Sequence, residues 1–256
     1  MNSRVRARTW TFLLPMLALI AFGTTRGQDF GTLTSSHFDL KFQKSVSQED
    51  ARKVMDFLQA EYTALTGDLG LDMKGKLEVR IYESVGKYIS ETGLSRPWRA
   101  AYFNKGVLHL QPVAALMARK LFEKAITYEL AIAFLEQTGR KGCPRWLRES
   151  FAAYYSGETA GMSAPVGARL TAFSDLNQDI QEYQNPPQRE DVHYILASTM
   201  TYFVEKYGEK RAFRLFREFD GVTGVDKVFK KVFSNDYSSI EKGWAKYIAS
   251  RTSSFK

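Results

Sequence analysis

Apolar residues recur along this chain with a period of two near its start and a helical period later. His37–Gln43 alternates, with Phe38, Leu40 and Phe42 on one side and His37, Asp39, Lys41 and Gln43 on the other, the pattern of a half-buried strand. Ser47 then opens a helix with Glu49 and Asp50 in its first turn. Its inward stripe is Ala51, Val54, Met55, Leu58, Tyr62 and Leu65, and Gly67 is the expected stop. Lys76–Tyr82 alternates again through Leu77, Val79 and Ile81. A short helix over Val85–Thr92 follows a Ser84 cap and ends at Gly93. Trp98–Phe103 and Val107–Gln111 flank Asn104-Lys105-Gly106 as a hairpin, closed by Pro112.

From Val113 the pattern is helical. Ala114–Gln137 contains a central helix ended by Gly139. Pro144–Ser156 forms the next, with Pro144 at its first position and Gly157 after its end. Thr159–Pro187 reads as a crossover carrying one helix near Val166–Leu176. Val192–Tyr207, Arg211–Phe219 and Val225–Phe233 are amphipathic helices. Ser238-x-x-Glu241 forms a capping box before Trp244, Tyr247 and Ile248. The expected class is α+β: a small N-terminal mixed sheet with helices over about residues 36–112, then a mainly helical half over about 113–250.

One stretch departs from amphipathic order. Ala125–Leu135 is apolar on nearly every side, as in a helix buried all round, yet Glu129 lies within it. Ala125, Ile126, Ile132 and Ala133 are its neighbours one turn away. Burying even a neutral polar group uncompensated costs roughly 2–7 kcal/mol. A cation, hydrogen bonds, protonation or a wet cleft must therefore accompany this carboxylate.

Composition adds the compartment. Arg4, Arg6 and Arg8 precede the apolar run Trp10–Phe22, which Pro15 interrupts, and Thr25-Arg26-Gly27 offers small residues for cleavage. Residues 1–27 are expected to be a signal peptide and residues 28–256 one exported domain, periplasmic or extracellular, with no stable membrane anchor after cleavage. The formal charge of +8, less the four arginines of that leader, falls to +4. No basic aromatic stripe of the nucleic-acid type is present, so no nucleic-acid partner is expected. Cys143 is the only cysteine. An internal disulfide is thus impossible, and a buried thiol acting as a small apolar residue is the simplest role.

Cys143–Gly157 (CPRWLRESFAAYYSG) holds a second acidic residue, Glu149, on the helix after the central one. An antiparallel pairing of the two helices would bring Glu129 and Glu149 together. Tyr128-Glu129-Leu130-Ala131-Ile132 followed by Pro144-Arg145-Trp146-Leu147-Arg148-Glu149-Ser150 resembles the peptidase MA-like branch of the gluzincin metallopeptidases. The resemblance runs from about Ser36 to Ile248 through SSHFDLKFQ, LEVRIYES, ETGLSRPW, GVLHL and the tail Tyr194…TYFVEKYG…GWAKYI. In that family the first helix carries His-Glu-x-x-His and the second Pro-x-Trp-Leu-x-Glu-Gly. The two His and the second Glu bind zinc, and the Glu inside the first motif is the general base. The resemblance therefore implies a zincin-like fold, with the GVLHL strand along the substrate cleft.

The departures argue against the activity. Tyr128 and Ile132 stand where the zinc-binding His residues belong, and only Glu149 matches a ligand position. Zinc prefers Cys, His or carboxylate, and without it no water is activated near neutral pH. No cofactor is expected here, and no catalytic residue. The resemblance leaves Glu129 as a remnant general base and Tyr194 as a remnant oxyanion group, in a degenerate pocket of Tyr128, Glu129, Ile132, Glu149 and Tyr194. An Arg from elsewhere is the expected partner of Glu129. Of the three His, His37 is expected in solvent, and His109 on the surface or bordering the groove. His193 adjoins Tyr194. Three readings follow: a zinc-free module that binds a peptide or protein in the old cleft, an active hydrolase with a non-standard metal site, or a structural protein whose cleft has filled in.

Overall fold

The computed structural model describes residues 30–94, 99–157, 172–173, 175–177, 180 and 189–252. The expected signal peptide lies outside them, as do most of the expected crossover and its helix. Five strands, β1 (Phe30–Thr34), β2 (Phe38–Gln43), β3 (Leu77–Ile81), β4 (Ala101–Asn104) and β5 (Val107–Leu110), form one sheet in the order β1-β2-β3-β5-β4. β2, β3 and β5 run parallel, while β1 and β4 close the two edges antiparallel. Helices α1 (Gln48–Leu69) and α2 (Val85–Thr92) connect the strands. The remaining helices among the described residues are α3 (Val113–Ala118), α4 (Phe122–Gln137), α5 (Arg145–Tyr155), α6 (Arg189–Tyr207), α7 (Glu209–Arg217), α8 (Val225–Phe233) and α9 (Tyr237–Thr252). The chain is α+β, a small mixed sheet followed by a helical half.

Strand alternation and register together build the sheet's inner face. Leu33, Leu40, Val79 and Leu108 lie abreast across β1, β2, β3 and β5, and Phe42, Ile81, Leu110 and Ala101 form the next row. All are buried, each large side chain contributing about 1.5–3 kcal/mol. α1 and α4 pack against this face. On the other face, Glu78 holds Lys41 at 2.7 Å and Arg80 at 2.6 Å across and along the strands. α5 lies between α4 and α6, so α4 is enclosed by the sheet, α1 and α5. That enclosure is why its sequence is apolar all round.

Several boundaries differ from expectation. α1 runs through Gly67 to Leu69, and Gly70, at φ 59°, turns the chain out of the helix. The helical run from Val113 is broken into α3 and α4. Lys120 there adopts φ 56°, and the Leu121 and Lys120 amides bond the Leu116 and Met117 carbonyls at 2.9 and 3.0 Å. This is a Schellman closure with lysine in the left-handed position usually taken by glycine, so no glycine marks it. Pro144 caps α5 from outside rather than occupying its first position. β1 carried no separate signal in the alternation. The capping box before Trp244 is also displaced. Asp236, not Ser238, accepts from the Ser239 amide at 2.8 Å, and Glu241 accepts from the Phe173 amide at 2.6 Å.

Asp236→Ala should therefore lower stability by about 1 kcal/mol, while Ser238→Ala should change it by a few tenths at most. Urea unfolding monitored by circular dichroism distinguishes the two.

Candidate functional site

Glu129 sits at the middle of α4 and is 4 % exposed. Its Oε2 accepts the Phe103 backbone amide of β4 at 2.9 Å, and its Oε1 accepts Arg99 Nη1 at 3.3 Å. The expected arginine partner is thus Arg99, just ahead of the edge strand. Gln111, at the end of β5, holds that segment: its side-chain amide donates to the Arg99 carbonyl at 2.9 Å, and its backbone amide to the Ala100 carbonyl at 3.2 Å. The Arg99 guanidinium also stands 5.0 Å from the Tyr102 ring centroid. Burial alone would lower the Arg99 pKa, but Glu129 and, after it, Glu149 raise it above the ordinary arginine value. Burial and then Glu129 likewise raise the Tyr88 phenol.

Glu149 on α5 is 5 % exposed and has a different set of partners. Tyr128 Oη donates to its Oε2 at 2.5 Å, and Arg145 Nε donates to its Oε1 at 3.3 Å from one turn earlier. The phenol at the position where the resemblance expects a His therefore binds the carboxylate at the position where it expects a zinc ligand. Tyr128 also packs its ring 5.6 Å from that of His193 on α6.

A cavity of ≈ 280 Å³ opens between the β4–β5 hairpin and helices α4 and α5. Glu129, Ile132 and Glu136 line it from α4, and Arg145, Arg148 and Glu149 from α5; Arg99, Tyr102, Phe103, Asn104 and Lys105 supply the hairpin wall. The structure thus brings Glu129, Ile132 and Glu149 to one cavity. Tyr128 stands behind Glu149 and is not part of the wall, nor is Tyr194. Tyr194 is buried, and its charged neighbour is Arg251 of α9. Arg99, Lys105 and Glu136 were not singled out from sequence, because no local period shows which hairpin and helix residues meet across so many intervening positions.

The histidines correct three expectations. His109 lies neither in solvent nor along the cleft. β5 is flanked on both sides, by β3 and β4, so the cleft-bordering strand is β4. His109 is buried with Nδ1 2.8 Å from Tyr82 Oη. Burial, reinforced by Arg80, pushes its pKa down to about 4. His37 is half-buried and stacks on Tyr62 at 3.9 Å. Cys143 is half-buried rather than fully so, and burial pushes its thiol up to about 12.

The residues at the three family ligand positions do not fit zinc. Tyr128 offers a phenol engaged with Glu149, Ile132 offers hydrocarbon, and only Glu149 offers a carboxylate. Among the described residues, no group of three His, Cys, Asp or Glu side chains is placed to hold a metal ion. None of the described helices is long and apolar enough to cross a membrane. No family model and no curated protein matches the chain.

Arg99→Ala removes the guanidinium that compensates buried Glu129, so it should cost about 3–5 kcal/mol in urea unfolding at pH 7. His109 gives a separate signature. Above its ordinary pKa of 6.5 the ring is neutral whether the chain is folded or not; between 6.5 and about 4 only the unfolded chain takes the proton. Stability should therefore fall through that window by an amount on the order of 1–3 kcal/mol, and His109→Gln should remove that share of the pH dependence.

Proposed function

We propose that this chain is an exported, catalytically degenerate relative of the peptidase MA-like metallopeptidases, which binds a peptide or protein segment in the cleft without zinc. The observation that carries this reading is the 2.5 Å bond from Tyr128 to Glu149. It places a phenol where an imidazole would have to stand and occupies the remaining carboxylate that could grip a metal. Glu129 is engaged likewise, by Arg99 and the Phe103 amide, which hold the carboxylate in an ion pair and a hydrogen bond. The arrangement of edge strand β4 over α4 and α5 supports a zincin-like descent. The open cavity supports ligand binding over a cleft that has filled in.

One observation favours the alternative, an active hydrolase with a non-standard metal site: Glu129 and Glu149 do line the same cavity. The two readings separate by measurement. The purified protein should carry no stoichiometric zinc by emission spectroscopy and show no chelator-sensitive hydrolysis of casein. Stoichiometric zinc with chelator-sensitive turnover would overturn the proposal. The double variant Tyr128→His/Ile132→His, which restores two imidazoles beside Glu149, should gain zinc affinity over the parent.

A further inference from the structure

We propose that the cleft anchors its ligand through a carboxylate, held by Arg148 and Arg145 near the start of α5 with Lys105 on the facing hairpin. This inference rests on the reading of the cleft as a peptide site and names the chemistry that the site selects. It begins from the distribution of charge around the cavity. Glu129 and Glu149, the two buried acids, are each engaged by a cation and a second donor. The third acid of the wall, Glu136, is exposed near the end of α4. The cations are less fully matched. Arg148 lines the cavity, and its Nε is shut off from solvent with no hydrogen-bond partner among the described residues. Buried donors of this kind are rare in folded chains, and a guanidinium is suited to take a carboxylate through two parallel bonds. Arg145, 45 % exposed along its side chain, reaches Glu149 only through Nε at 3.3 Å.

The position of these arginines points the same way. Arg145 opens α5 and Arg148 stands one turn on, and the first turn contains no acidic residue. The amino end of a helix carries partial positive charge, so cations there are disfavoured. A bound anion offsets both repulsions. Arg145 and Arg148 are one turn apart and share a helix face, and Lys105, at the tip of the two-residue hairpin turn, closes the opposite wall. A cationic ligand would meet three like charges.

The carboxylate could come from an acidic side chain or from a chain terminus, and three small peptides separate these sources. N-acetyl-Ala-Asp-Ala-amide carries only the side-chain carboxylate, N-acetyl-Ala-Ala-Ala only the terminal one, and N-acetyl-Ala-Asn-Ala-amide neither. Each is titrated into ¹⁵N-labelled protein while the arginine Nε–H signals are followed, that of Arg148 being the one lost in Arg148→Gln. At least one carboxylate peptide should shift the Arg148 signal saturably and bind at least tenfold tighter than the neutral peptide. Arg148→Gln should weaken that binding about tenfold, and Arg211→Gln, outside the cavity, should not. Equal binding of the neutral peptide would overturn the inference while leaving the cleft a peptide site. No perturbation of any cleft residue by any of the three would sink both readings.

Discussion

A carboxylate in the middle of a helix enclosed on all sides constrains the architecture more than any other group. α4 cannot be packed by the sheet, α1 and α5 unless Glu129 is compensated where it stands. The compensation comes from the chain that enters the sheet's edge. Arg99 supplies the charge, and the Phe103 amide supplies a directed donor from the side of β4 that faces away from β5. Gln111 in turn fixes Arg99 by bonding the carbonyls of residues 99 and 100. The edge strand is thereby tied to the helix beneath it by polar contacts, and the cleft between them keeps its shape through that tie. A buried ion pair of this kind adds little net stability over an apolar pair of the same size, but loss of either partner strands the other. Its consequence is specificity of arrangement: β4 has one position over α4.

Glu149 meets the same requirement differently. Its partners are a phenol from the adjacent helix and an arginine one turn back on its own. The phenol satisfies one oxygen without bringing a second full charge into the core. The arginine stays nearly half exposed, so the pair is partly screened. The two acids thus form two separate internal pairs. Tyr128 donates to Glu149, and Ile132 lines the cavity with hydrocarbon.

Much of this was legible along the chain, and what was not has a common cause. The alternation of Phe38, Leu40 and Phe42, or of Leu77, Val79 and Ile81, reports a one-sided environment, and those strands appear where the pattern puts them. The all-apolar run around Glu129 likewise reports enclosure. The misses are interactions set by long-range geometry. Arg99 is 30 positions from Glu129, and the hairpin signal over Trp98–Phe103 does not say which helix lies beneath it. His109 alternates with Leu108 and Leu110 as a solvent-facing residue would, but Tyr82, just after β3, bonds it and packs in turn on Tyr88 of α2. The α3–α4 break carries a lysine where a glycine would have announced it. At the head of α9, the aspartate one residue before the helix accepts the Ser239 amide, so the serine of the apparent capping box already lies inside the helix.

The tie between Glu129 and Phe103 also limits how an extended ligand can lie on this edge. Asn104 and Val107 flank a two-residue turn, so they and the Tyr102–His109 pair exchange backbone hydrogen bonds with each other. Ala101 and Phe103 therefore direct their amides and carbonyls away from β5. Of these outward groups, the Phe103 amide is already given to Glu129. A ligand strand added to β4 can pair with Ala101 and with the Phe103 carbonyl, but gains the Phe103 amide only by displacing a buried carboxylate from a donor it needs. Main-chain pairing at this edge is thus curtailed by the same contact that holds the cleft open. For a strand so placed, recognition would fall to side chains deeper in the cavity, where the helix wall presents Arg145 and Arg148.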